Sequence, residues 1–115
     1  MPEPSGPSRT VPELDEAALA GFLAGPGDAF LYASAPWCGP CRMVGPHFQA
    51  IAAEHAGPAR FGRIGVDLVP EAAERLGIRT TPTILHLRDG AEADRISGAV
   101  MRPRLAAWIA ERAGS

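Results

Sequence analysis

The sequence predicts an α/β domain in which a central mixed sheet of four to five strands is flanked by helices on both faces. Short apolar runs of strand length alternate with segments whose apolar residues recur at helical spacing. Glycine and proline punctuate most of the boundaries between them. Near the end, Asp89-Gly90 marks a hairpin, so one strand pair must be antiparallel.

The first nine residues, M-P-E-P-S-G-P-S-R, have the proline- and serine-rich composition of a disordered tail, which leaves residues 10–115 as one domain. Thr10-Val11 reads as a short edge strand. Asp15 is placed to cap a helix carrying Leu19, Phe22 and Leu23, and Gly25-Pro26-Gly27-Asp28 breaks it. Ala29–Ser34 is an apolar run suited to burial on both faces. A long helix follows, marked by Met43, Val44, Phe48 and Ile51 and ending near His55; Pro46 inside it predicts a kink.

Phe61–Asp67 reads as the next strand, although Gly62 and Gly65 weaken its strand propensity. Pro70 can open a short helix and Gly77 can end it. Thr83–Leu87 and Glu92–Ser97 form the two arms of the hairpin. A last helix starts around Pro103, with Leu105, Trp108 and Ile109 on its buried stripe. The order β-α-β-α-β-α-β-β-α contains a crossover from Ala29–Ser34 to Phe61–Asp67, expected to be right-handed.

The chain of 115 residues carries a formal charge of -2, which gives no attraction to nucleic acid or to an anionic membrane. Its eleven basic residues are all arginine, so no lysine amine can serve as nucleophile or base. The start lacks the apolar run of a signal peptide and no later segment approaches a membrane span, so the cytoplasm is the expected compartment. Two cysteines make no disulfide scaffold, and in a reducing compartment a CxxC points to redox or metal chemistry.

Both cysteines lie in S-A-P-W-C-G-P-C-R-M, Ser34–Met43, where a buried strand gives way to a helix. A thiol at that junction faces the unpaired N–H groups and the positive end of the helix dipole, and both favour thiolate. Cys38 is therefore assigned as an exposed attacking thiolate. Cys41, nearly one turn later, comes close enough to close a disulfide. Pro40 is tolerated because a first-turn residue has no N–H partner to lose, and it stiffens the loop between the sulfurs. Structural zinc would need four ligands, and His47, His55 and His86 are not spaced to complete such a set. No metal is expected.

The motif W-C-G-P-C at Trp37–Cys41 resembles the thioredoxin family. Pro46, Val66-Asp67, G-I-R-T-T-P-T at Gly77–Thr83, Asp89-Gly90 and Gly98 extend the resemblance over about Val11 to Ala113. It implies the thioredoxin fold and a cis Pro82 packed against the dithiol. It also implies that Thr81 offers its backbone to an extended substrate segment, with Gly98 leaving room for it. Trp37, Gly39 and Pro40 would line the substrate side of Cys38, and Asp67 would hold the Trp37 indole.

Two core positions depart from the family pattern. Tyr32 stands where a buried aspartate usually assists the resolving cysteine, and Arg63 matches a buried lysine; Ser34 replaces a second tryptophan. Neither a phenol nor a guanidinium is a base near neutrality. His86 shares strand parity with Pro82 and reads as a core histidine with a satisfied hydrogen bond rather than a substitute base. His47 and His55 lie on the long helix, the latter near its carbonyl end.

The function this implies is reduction of protein disulfides by a monomer with no bound cofactor. Electrons would come indirectly from NADPH through a flavoprotein, thioredoxin reductase. A disulfide oxidase or isomerase, and a binding module or chaperone that does not need the dithiol, are the alternatives.

Overall fold

A computed structural model describes residues 11–113 of the chain. The predicted tail, Thr10 of the first edge strand, and Gly114-Ser115 at the end of the domain lie outside the described residues. The elements in order are α1 (Glu16–Ala24), β1 (Asp28–Ser34), α2 (Cys41–His55), β2 (Ala59–Gly65), α3 (Pro70–Arg75), β3 (Thr83–Arg88), β4 (Ala91–Ser97) and α4 (Arg102–Arg112).

The four strands form one mixed sheet in the order β2-β1-β3-β4. The pair β1–β2 is parallel, whereas β1–β3 and β3–β4 are antiparallel. Alternation along β1 divides the core between the two faces of the sheet. Phe30 and Tyr32 pack with Phe48 and Ile51 of α2 and with Leu105, Trp108 and Ile109 of α4. Leu31 and Ala33 point the other way, toward Leu19 of α1 and Ala72 of α3. Burying each large apolar side chain in this way contributes about 1.5–3 kcal/mol.

Several predicted boundaries move. The Thr10-Val11 strand is not formed at Val11; contact with the sheet is instead a single bridge between Glu13 and Arg63. Asp28 opens β1 rather than closing the preceding turn, because its carboxylate is drawn in by His86 and Arg88 of β3. β2 lies two residues earlier than Phe61–Asp67. Its last carbonyl, on Gly65, accepts the amides of Leu68 and Val69 at 2.9 and 3.1 Å, which turns Val66 and Asp67 out of the sheet.

The local signals elsewhere act as their chemistry requires. The Asp15 carboxylate accepts the Ala18 amide at 2.9 Å, capping α1. Asp89 and Gly90 have φ of 51° and 87°, the paired left-handed conformation that closes a tight hairpin.

Candidate active site

β1 delivers the chain to one edge of the sheet, and a turn closed by the Cys38 amide on the Ala35 carbonyl (3.1 Å) redirects it into α2. Cys41 is the first residue of that helix and Pro40 its cap. Cys38 and Cys41 are joined as a disulfide, with their Cα atoms 5.4 Å apart. The Cys41 amide, one of the helix's unpaired first-turn donors, points at Cys38 Sγ at 3.2 Å. The same donor and the helix dipole would stabilise a thiolate on Cys38 once the bond is reduced.

The expected exposure of Cys38 is corrected by the structure: Cys38 and Cys41 are 7% and 8% exposed. Both sulfur-bearing residues pack with Ala35 under the turn, so accessibility does not distinguish attacker from resolver. What distinguishes them is the surface each one lines. Cys38 opens onto a groove of about 390 Å³ shared with Trp37, Gly39, Pro40, Val66, Ile78 and Thr81. Cys41 does not line that groove and faces a second cavity with Tyr32 and Arg63.

Thr81 sits at the rim of the groove, and among the described residues no hydrogen bond engages its backbone. The Thr81–Pro82 peptide bond is cis. Pro82 is buried, and its carbonyl accepts the Gly98 amide at 2.9 Å. Gly98 has φ of 92°, and a Cβ built there would meet nothing within 4 Å among the described residues, which leaves space beside it. Trp37 is 73% exposed, a large apolar surface beside the disulfide. Asp67 is not hydrogen-bonded to the Trp37 indole among the described residues; it lines a depression with Ser34 and Arg63 instead.

Tyr32 lines the cavity that Cys41 faces. Its hydroxyl donates to the Cys41 carbonyl at 3.2 Å, and its ring stacks on Phe48 with centroids 5.3 Å apart. Burial pushes the phenol up to about 12, with the positive charge of Arg63 pulling weakly the other way. Arg63 itself meets Glu13 at 3.5 Å.

His86 is held away from this site by strand register. It pairs with Phe30 of β1, one inward-facing position further from the cysteines than Ile84, which pairs with Tyr32. Its Nε2 lies 2.9 Å from Asp28 Oδ1, while the buried Nδ1 has no partner among the described residues, so its hydrogen bonding is only half satisfied there. His47 and His55 are half-buried on α2. Among the described residues, no three of His, Cys, Asp or Glu gather to hold a metal ion.

Sequence reasoning did not single out Arg42 and Gln49, which line the cavity next to Cys41. The available signal was positional: Arg42 follows the second cysteine in the first helical turn, and Gln49 lies two turns along the same helix.

The thioredoxin family profile matches residues 14–111. The chain is 45% identical over 71 residues to thioredoxin M4, chloroplastic, of Arabidopsis thaliana, a match covering 62% of this chain and 37% of that protein. It is 40% identical over 72 residues to thioredoxin 1 of Synechococcus elongatus, covering 63% and 67%. The chain spans less than half the length of the first chloroplastic relatives it matches. Among solved structures, a thioredoxin of Malassezia sympodialis described as a member of a pan-allergen family superposes with a TM-score of 0.83 at 29% identity, over 94% of this chain and 95% of that one. With a profile match across nearly all the described residues and a disulfide at the strand-to-helix junction of this sheet, the chain belongs to the thioredoxin family.

Proposed function

We propose that this protein reduces disulfide bonds in other proteins by thiol–disulfide exchange. The observation that carries the reading is the disulfide at the N-terminus of α2 with only Cys38 opening onto the Trp37–Thr81 groove. In the reduced protein the Cys38 thiolate attacks one sulfur of the substrate disulfide. A mixed disulfide forms, and the substrate's other sulfur leaves as a thiolate that takes a proton from solvent. Cys41, once deprotonated, attacks Cys38 Sγ and releases the second substrate thiol. Two electrons pass to the substrate, and the protein is left in its Cys38–Cys41 disulfide form.

An extended substrate segment would lie in the groove, with its backbone on Thr81, its apolar side chains on Trp37 and Pro40, and its passage cleared by Gly98. Reduction of the spent disulfide is assigned to a flavoprotein thioredoxin reductase carrying electrons from NADPH. The working form is a monomer in the cytoplasm, where a chain whose two cysteines form a single exchangeable pair suits a reducing environment.

Insulin-disulfide reduction tests this, driven first by dithiothreitol and then by NADPH with thioredoxin reductase. Activity is expected with both donors. Cys38→Ser should abolish it, and Cys41→Ser should accumulate a mixed disulfide with the substrate. Absence of turnover with either donor would overturn the function, and activity with dithiothreitol alone would overturn the assigned electron donor.

A further inference from the structure

The second cavity at the disulfide is larger than the peptide groove, at about 490 Å³, within the usual size range of small-molecule sites. Cys38 lines both spaces, whereas Cys41 lines only this one. Its polar lining is one-sided: among the described residues Arg42, Arg63, Gln49, Ser34 and Tyr32 contribute, and no carboxylate does. Glu13 approaches Arg63 from the neighbouring depression at 3.5 Å and offsets part of that charge. Arg42 is exposed and has no hydrogen bond or ion pair through its side chain among the described residues. An unpaired guanidinium lining the same cavity as a reactive sulfur attracts anions toward it.

We propose that this cavity is a second substrate site, which admits small disulfides and thiols bearing carboxylates. The proposal rests on the dithiol being redox-active, as argued above, and adds small anionic compounds to the extended protein segments assigned to the peptide groove. The thiolate of Cys38 attacks a small disulfide RS–SR whose carboxylate is held by Arg42 and Arg63. The Cys38–S–S–R bond forms as RS–SR breaks, and RS⁻ leaves to be protonated by water. Cys41 thiolate then attacks Cys38 Sγ and expels the second RS⁻. Two electrons have moved from the dithiol to RSSR, giving two RSH. Run in reverse, two equivalents of an anionic thiol reduce the Cys38–Cys41 disulfide and leave as RSSR.

Arg79 provides an internal control, because it lines the peptide groove and not this cavity. The test compares three small disulfides with the pre-reduced protein: the dianionic disulfide of mercaptopropionate, the uncharged disulfide of mercaptoethanol, and dicationic cystamine. Each rate is divided by the rate of free dithiothreitol with the same compound, which removes intrinsic reactivity. The normalised kcat/KM for the dianion should exceed that for the uncharged compound about tenfold at low ionic strength and converge with it as salt rises.

Arg42→Gln should lower that preference about two- to fivefold, the range for one exposed ion pair. Arg42→Glu should turn the preference toward cystamine, and Arg79→Glu should leave the preference for the dianion in place. Equal normalised rates for the three compounds, or a preference that follows Arg79 rather than Arg42, would overturn the inference while leaving insulin reduction standing. No turnover of any disulfide, insulin included, would overturn the function and this inference with it.

Discussion

Tyr32 places a neutral, buried phenol where a proton acceptor for the resolving cysteine would be useful. Its hydroxyl is committed to the Cys41 carbonyl, and burial drives its pKa up to about 12 rather than down. Tyr32 is therefore no proton acceptor for Cys41 near neutrality. Tyr32→Asp, which would put a carboxylate in the cavity that Cys41 faces, should speed disulfide reduction several-fold at neutral pH. Insulin reduction followed across about pH 6 to 9, a range set around the ordinary thiol value, checks this; identical profiles for variant and parent would refute it. The same residue predicts alkaline behaviour. Because folding raises the phenol's pKa, the folded state holds the proton more tightly than the unfolded chain does. That contribution is complete below about pH 10 and is lost as the pH rises toward 12. Tyr32→Phe should flatten the decline in thermal midpoint between about pH 9 and 11 relative to the parent.

At the scale of elements, β2 shows how a weak propensity can conceal a packing requirement. Gly62 is unfavourable in a strand, yet a Cβ built there would fall 2.8 Å from Leu14 and 3.2 Å from Phe22. The missing side chain is what allows α1 and the segment before it to lie close on the sheet. Gly62→Val should destabilise the protein by roughly 1–3 kcal/mol through overpacking. The measurement is the urea midpoint at constant slope, and an unchanged midpoint would show that α1 can move aside. Elements bounded by strong local chemistry were legible in the sequence for the same reason that β2 was not. Asp15, Pro70 and Gly77 act through their own backbone neighbours, and Asp89-Gly90 turns the chain by its own left-handed conformation, although Asp89 also exchanges hydrogen bonds with Gly27. The far end of β2 is set by the turn of Leu68 and Val69 onto the Gly65 carbonyl, which carries no distinctive residue signal, and its start by pairing with Asp28 of β1, which no local window contains.

Across the whole molecule, the disulfide occupies one end of β1 and an ionic cluster the other. Asp28 accepts from Arg88 Nε and lies against His86 Nε2, both at 2.9 Å, tying β1 to β3. Nearby, Arg112 of α4 holds Asp94 of β4 at 2.7 Å and covers the Trp108 ring. Burial alone would raise the pKa of Asp28, but the hydrogen bonds from His86 and Arg88 outweigh it and hold the carboxyl below its usual range. Its stabilisation is therefore present above the unfolded value of about 3.9 and disappears as the pH falls through the folded one. Asp28→Asn should lower stability by about 1–3 kcal/mol at neutral pH, and the gap to the parent should narrow under acid. Urea unfolding at about pH 7 and pH 3 checks this, and a gap that stays constant would contradict it.

The same view of the whole explains which parts of the site could be read in advance. Cys38, Cys41, Trp37 and Pro40 are contiguous, and Thr81, Pro82 and Gly98 announce themselves by residue type. Asp28 reads as a turn residue until β3 is laid beside it, and Arg42 reads as a solvated charge until the cavity around Cys41 closes. Cys38 is buried because it packs with Ala35 and Cys41, a contact that spacing along the chain does not reveal.

The bridge between Glu13 and Arg63 has a consequence for self-association. β2 is an outer strand of the sheet, and its free side would otherwise present backbone groups ready to pair with another chain. The Arg63 carbonyl instead accepts the Leu14 amide at 2.9 Å, and the Arg63 amide donates to the Pro12 carbonyl at 3.0 Å. Pro12 has no N–H of its own to extend the ladder outward. On the opposite border, β4 carries Glu92, Asp94 and Arg95, charges that discourage strand addition there. A short irregular clip on one side and a charged strand on the other keep the sheet from templating its own aggregation.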